Sequence, residues 1–229
     1  MQSKVTHAVL KEGREYSERI LKGLTSGVSH FHAVQYMKNE LRGNGFNELR
    51  EKEKWNLTPG QSYYFTRNGS TVVAFTLGNK VGTGIDMFKI VGCHTDSPVI
   101  KLAPHTKIEN KSGFQQLQQQ LYGGGTWRTW FDRDLGLAGK IITQSNKDQS
   151  LNHHLWDSKD AVMNIPNLCI HFTRTDEFKP NREKELKPIL ASSMIDQLMG
   201  QGISHFSEEH PDLYKVETKH FKTFLDRIA

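Results

Sequence analysis

The 229-residue sequence predicts an α/β fold in which a β-rich module follows a mixed helix-and-strand segment. Three observations predict it: helical amphipathic patterns near the start, a short apolar and β-branched run at 87–93, and a change after Pro98 to short possible strands separated by polar segments. The predicted parts are 1–96, a β-rich module at 97–190, and a return toward the first part at 191–229.

Two helices are predicted at the start of the chain. The first extends to about Leu24 and carries a charged face and an apolar face. The second begins after Ser29, a suitable N-cap, and the glycines at 43 and 45 end it. Its apolar residues recur at every fourth position (Ala33, Met37 and Leu41).

A hairpin and a buried strand are predicted next. In SYYFTRNGSTVVAFTLG, two β-prone runs flank Asn68-Gly69, a pair that suits a type I′ turn. A glycine-containing loop at Gly82 to Asp86 then leads into MFKIVGC, whose composition favours a strand buried on both faces of a sheet.

The β-rich module contains four possible strands, in KLAPHTKIE, GFQQLQQQLYGGG, LAGKIITQS and NLCIHFT. Five glutamines in the second segment are interpreted as marking strand faces in contact with water (Gln115, Gln116, Gln118, Gln119 and Gln120). After about Pro188, PILASSMIDQLMGQGISHF is predicted to be helical, and HFKTFLDRIA resembles a further helix.

Composition narrows the class of protein. The net charge is +5, from 30 basic and 25 acidic residues, but the two signs are interspersed, which favours solvated faces over a nucleic-acid surface. No apolar run is long enough to span a bilayer, and the N-terminus has no apolar signal region. With only Cys93 and Cys169 present, a reducing, cytoplasmic setting is expected, without nucleic-acid or membrane partners.

His94 and Asp96 follow the predicted buried strand and are the first candidates for chemistry. Ligands gather beyond the carboxyl ends of strands in open α/β sheets, and a neutral imidazole is a common ligand for zinc. Asp96 would point the same way as His94 in extended backbone and could hold its second ring nitrogen. In the alternative, His94 caps the strand and Asp96 forms an Asx-turn.

A second motif, YGGGTWRTWFDRDLGLAGK, combines three glycines with large aromatic residues and paired charges. Its glycines do not match the spacing of a phosphate-binding loop. Trp127, Trp130 and Phe131 are expected to pack in a core or at an interface, because their exposure would be costly.

Four blocks together resemble the aspartyl aminopeptidases, members of the M18 family of two-metal exopeptidases. The blocks are GCHTDSP, YGGGTWRTWFDRDLGLAGK, FHAVQYMKNELRGNGFNELREKEKW and YYFTRNGSTVVAF. The resemblance implies a three-layer zinc-exopeptidase catalytic domain split by a β-rich dimerisation insertion. It also implies a homo-oligomer that removes N-terminal Asp or Glu from peptides.

The resemblance assigns roles to three residues. His94 would bind one metal of a two-zinc pair, and Asp96 would orient it. His171, in the strand IPNLCIHF, would reach the neighbouring subunit's active site and stabilise the tetrahedral intermediate. Without the resemblance, His171 is interpreted as a core or edge-strand histidine.

The family's other metal ligands and its general base lie beyond the first half of the chain, so the resemblance implies an incomplete fragment with little activity of its own. Glu208-Glu209-His210 is interpreted as a solvated loop, because no apolar strand or glycine flanks it. In the alternative, the chain is a non-catalytic short form that co-assembles with full-length subunits and donates His171.

Overall fold

A computed structural model describes residues 7–80, 87–108, 113–172, 174, 177–194 and 219–229. These residues fall into two compact units, one of Met1–Ser97 with Gly139–Leu155 and one of Pro98–Ala138 with Trp156–Ala229. Both units contain helices and sheets, which confirms the mixed α/β class. The predicted boundaries at 96/97 and 190/191 stay a prediction.

Two helices begin the first unit, as predicted. They are α1 (His7–Ser26) and α2 (His30–Gly43). Ser29 caps α2 by accepting a hydrogen bond from the backbone N–H of His32, at 3.4 Å. Among the described residues, none of the helices combines the length and apolar character required to cross a lipid bilayer.

A three-stranded sheet follows, in the order β1 (Asn47–Glu48), β2 (Ser62–Arg67) and β3 (Thr71–Thr76). Asn68 and Gly69 join β2 to β3 with φ angles of 56° and 67°, which confirms the predicted turn, since a type I′ turn needs two positive φ angles. Buried residues of α2 and β2 form the core of this unit (Val34, Tyr63 and Tyr64).

Segment 87–97 of the first unit has no helix or strand, so the strand predicted at MFKIVGC is wrong for this structure. Ile90 and Val91 expose 85% and 97% of their surface. A strand buried on both faces needs paired neighbours and cover on each face. The described residues supply neither, and the predicted loop at 82–86 lies outside them.

A two-stranded sheet is formed by β7 (Ala138–Gln144) and β8 (Leu151–Asp157). Most of it belongs to the first unit. There, Lys140 Nζ lies 4.5 Å from the centroid of the Phe31 ring, a cation–π contact that joins β7 to α2.

The second unit is built on five strands, which are β4 (Val99–Lys107), β5 (Phe114–Tyr122), β6 (Asp134–Leu135), β9 (Met163–Asn164) and β10 (Ile189–Ser192). They form one sheet in the order β4-β5-β10-β9-β6, and neighbouring strands are antiparallel. A short helix, α3 (Lys222–Ile228), confirms the helix predicted in HFKTFLDRIA.

Two predictions fail in this unit. Residues 189–192 form β10 instead of a helix, because pairing with β5 and β9 decides their conformation. Residues 193–194 are helical, as predicted, and the remainder of that predicted helix, from 195, lies outside the described residues. Conversely, 167–172 contains no strand and ends in a turn at 170–172, so the strand predicted in NLCIHFT is wrong.

Two apolar clusters form the core of the second unit. One contains Leu117, Met163, Phe221 and Phe224. The other contains Trp127, Phe131, Ile165 and Leu186, which confirms core packing for two aromatic residues of the glycine-rich motif. Gln115 and Gln119 are also buried, so the expectation of wet glutamines is wrong for these two, which alternate along β5 with Leu117.

Candidate functional site

A hydrogen bond fastens the His94–Asp96 segment to the β2–β3 hairpin. Thr95 Oγ1 donates to the backbone carbonyl oxygen of Ser70 at 2.9 Å. Ser70 directly follows the Asn68-Gly69 turn, so the turn's conformation sets where this acceptor lies. Thr95 was not among the predicted site residues, because the bond joins positions 25 apart and no local pattern indicates it.

The ring of His94 is held through one of its two nitrogens. Nδ1 lies 2.7 Å from the backbone carbonyl oxygen of Asp96. A carbonyl oxygen can only accept, so Nδ1 carries the proton. In the neutral imidazole, Nε2 then keeps its lone pair. Since the side chain is 82% exposed, solvent and ions have access to the ring, and the arrangement suits a metal ligand.

Asp96 braces this ring mainly through its backbone. Its carboxylate Oδ1 lies 3.4 Å from Nδ1 of His94, farther than its carbonyl oxygen. Both acceptors face the same nitrogen and therefore favour the same tautomer. The structure thus brings the two predicted residues together. The prediction placed the contact at the Asp96 carboxylate, whereas the shorter contact is to the Asp96 backbone carbonyl. The alternative, in which His94 caps a strand, is wrong for this structure, because no strand precedes His94 in segment 87–93.

One imidazole is a single ligand, and a catalytic zinc takes three from the protein. Within the described ranges, no group of three or more His, Cys, Asp or Glu side chains could hold a metal ion. Glu208-Glu209-His210 lies outside those ranges. His94 therefore fits zinc as one ligand, while the described residues do not assemble a complete centre.

His171 belongs to the second unit and lies in the turn at 170–172. Its side chain is exposed, and the turn is closed by a hydrogen bond from Phe172 N to the carbonyl oxygen of Cys169 at 3.0 Å. The interpretation as a core or edge-strand histidine is therefore wrong. Exposed apolar side chains surround it in sequence (Leu168, Ile170 and Phe172).

Curated proteins similar to this chain include aspartyl aminopeptidases. One from Caenorhabditis elegans is 43% identical over 226 residues, which are 95% of this chain and 46% of that protein. A probable aspartyl aminopeptidase from Ricinus communis is 37% identical over 233 residues, or 95% of this chain and 47% of that protein. The chain thus spans about half the length of the curated relatives that it matches.

Solved structures agree with this likeness. The cryo-EM structure of the Ape4 and Nbr1 complex matches with a TM-score of 0.78 and 30% identity, over 89% of this chain and 39% of that chain. The structure of Chaetomium thermophilum mApe1 matches with a TM-score of 0.70 and 31% identity, over 80% of this chain and 41% of that chain. A family model described as aminopeptidase I zinc metalloprotease (M18) matches residues 24–229. The chain therefore belongs to the M18 family of aminopeptidases.

Proposed function

We propose that this chain contributes the first part of a two-zinc aminopeptidase that removes N-terminal Asp or Glu from peptides in the cytoplasm. The names of its relatives support the reaction and the acidic preference. The observation that carries the proposal is the His94 ring, held through Nδ1 with its Nε2 lone pair open to a metal, in a family described as zinc metalloproteases.

His94 would hold one zinc ion through Nε2, and Asp96 would fix the orientation and tautomer of the ring. The bound metal pair would supply Lewis-acid polarisation of the scissile carbonyl and activation of a water molecule. The reaction also needs a general base within hydrogen-bond reach. We assign that base, and the remaining ligands, to the half of the family's sequence that this chain does not match.

A chimera tests this function directly. This chain replaces the matched part of the C. elegans aspartyl aminopeptidase, to which it is 43% identical. The chimera is expected to hydrolyse an aspartyl anilide in a zinc-dependent reaction, and His94→Ala is expected to abolish turnover. His153→Ala, at an exposed histidine of β8, should leave turnover unchanged. A folded chimera without zinc-dependent activity contradicts the proposal.

The 229-residue chain alone is expected to bind zinc weakly and to hydrolyse neither aspartyl nor glutamyl anilides, because its described residues bring no three His, Cys, Asp or Glu side chains together around a metal ion. Zinc titration calorimetry should show a loss of affinity in His94→Ala. Asp96→Asn should lower the zinc affinity by about tenfold or less, since the backbone carbonyl of residue 96 remains to hold the ring. Robust turnover by this chain alone would contradict the prediction that it holds only part of the zinc centre.

The exposed His171 turn favours a second candidate function, in which the chain acts as a non-catalytic short form. It would assemble with full-length subunits through the β-rich part and donate His171 to their sites. The exposed apolar neighbours Ile170 and Phe172 support an interface there, since such side chains gain from burial.

Native mass spectrometry of the chain mixed with the C. elegans relative tests co-assembly. Mixed complexes are expected, and Phe172→Lys should prevent them without unfolding the chain, because Phe172 is exposed. Leu151→Lys, at an exposed position of the other unit, is the matched control. If only unmixed species form, the short-form candidate fails while the chimera result still decides the enzymatic proposal.

A further inference from the structure

A histidine joins α3 to the sheet of the second unit. His220 precedes the helix, and its Nδ1 lies 2.8 Å from Thr106 Oγ1 on β4. Thr106 is only 1% exposed, so the bond is shielded from water on one side. The ring also packs on Phe224 of α3, with 5.6 Å between the ring centroids. His220 thus contacts both the strand and the helix.

Packing against the sheet is what keeps α3 helical. The helix has 7 residues, too few for an isolated helix to be stable in water. Phe221 and Phe224 provide its attachment, since both are buried in the cluster that contains Leu117 and Met163. A change in the strength of the His220 contact therefore changes the stability of the whole docked helix.

Other titratable groups lie on the segments around His220. His105 on β4 and Lys219 in the preceding segment act on its charge, and Lys107 Nζ lies 5.8 Å from the Phe221 ring centroid. On α3, Lys222 is paired with Asp226 at 2.6 Å. Burial first, and then His105 and Lys219, lower the pKa of His220 below its usual 6.5.

We propose that His220 is a proton-operated latch, whose neutral ring fastens α3 to β4 and whose protonation releases the helix. A charged ring at this position would lie partly out of water and near the Lys219 ammonium group. Release would uncover Phe221, Phe224 and the apolar side chains they cover. The device lies in the second unit and does not depend on the zinc centre proposed above.

The direction of the pH dependence follows from linkage. The docked state holds the proton of His220 less tightly than the released state, in which the pKa returns toward 6.5. Docking is therefore fully favourable above that value and weakens as the pH falls below it. One proton can change the docking equilibrium by at most about tenfold per pH unit.

Amide hydrogen exchange in 221–228, measured on the full chain from pH 7.5 to pH 5, tests the latch. Protection factors are compared, because they remove the intrinsic effect of pH on exchange. Protection is expected to fall with pH, by up to about tenfold per unit. His220→Gln, which can still bond to Thr106 but carries no charge, should make protection independent of pH. His153→Gln should behave like the unmodified protein.

A second variant separates titration from a merely structural role. Lys219→Gln removes one neighbouring cation, so the NMR titration midpoint of the His220 ring should rise and the total loss of protection should shrink. This variant also decides the question if His220→Gln does not fold. Protection that stays constant with pH, or that falls equally in His220→Gln, overturns the latch.

Discussion

Glu48 connects three elements of the first unit through one carboxylate. It accepts hydrogen bonds from Lys38 of α2 at 2.7 Å, from Tyr64 of β2 at 3.0 Å and from Arg42 of α2 at 3.1 Å. The hydrogen bond from Lys38 is the main cause that lowers the pKa of Glu48, and the hydrogen bond from Tyr64 lowers it further. Because Tyr64 is fully buried, its hydroxyl depends on this partner.

We predict that Glu48→Gln lowers the free energy of unfolding by about 1 kcal/mol at pH 7, a value typical of a partly exposed charged network. The carboxylate is 37% exposed, so solvent screens part of the interaction. Its lowered pKa means that the stabilisation is present above 4.5 and is lost as the pH falls below it. Urea unfolding at pH 7 and pH 4 should therefore show a larger difference between the two proteins at pH 7 than at pH 4.

Glu53→Gln is the matched control for this measurement. Glu53 pairs with Arg50 at 3.3 Å, but both side chains are largely exposed. Its loss should change the free energy of unfolding by less than about 0.5 kcal/mol. Equal effects of the two substitutions would contradict a specific role for Glu48.

Two buried glutamines on β5 are predicted to respond in opposite ways to substitution by Met. Gln119 Nε2 donates to the carbonyl oxygen of Arg182 at 2.7 Å, whereas neither amide atom of Gln115 has a hydrogen-bond partner among the described residues. A buried polar group without a partner costs about 1–3 kcal/mol. Gln115→Met should raise the midpoint of thermal unfolding and Gln119→Met should lower it. A drop for both would mean that Gln115 is satisfied.

At the level of the elements, local signals predicted best. Ser29 and Asn68-Gly69 are short motifs whose side chains or φ preferences act on their own backbone, so α2 and the β2–β3 hairpin were predictable. The strand β10 was not, because its conformation depends on pairing between Ile189 and Gln116, far apart in the chain.

The Asn68-Gly69 turn also offers a test at this level. Gly69 has a φ of 67°, and a Cβ there would meet its nearest neighbour, Phe31 Cδ1, at 3.9 Å. The added methyl group therefore has enough space, and Gly69→Ala should lower the free energy of unfolding by about 1–2 kcal/mol through backbone strain alone. Urea unfolding measures the loss. Gly43→Ala, in a helix end where nothing lies within 4 Å of the added Cβ, should not destabilise.

For the whole molecule, the candidate site was predicted in part. His94 and Asp96 lie two positions apart in the sequence, so their proximity was predictable. Neither the main-chain contact that fixes the ring nor the exposure of 87–91 follows from a local pattern. That segment has the composition of a buried strand, but burial is a property of the surrounding chain, which composition does not encode.

Two parts of the first unit expose large apolar side chains. Ile20 and Leu24 of α1 are largely exposed, and Ile20 lines an open groove of about 640 Å³ between α1 and α2 with Tyr36 and Met37. Ile90 and Val91 are more exposed still. Contiguous apolar surface of this kind gains free energy when it is covered, so association between copies is expected.

We predict that the chain self-associates in a concentration-dependent way and that Ile90→Lys with Val91→Lys reduces the association. The two side chains are exposed, so these changes should not disturb the fold, while added charge makes burial of the segment costly. Light scattering after size exclusion, over a hundredfold range of protein concentration, measures the mass. Asn56→Lys with Gln61→Lys adds the same charge at exposed polar positions and should leave the mass unchanged. If both pairs reduce association equally, net charge rather than the apolar segment controls it.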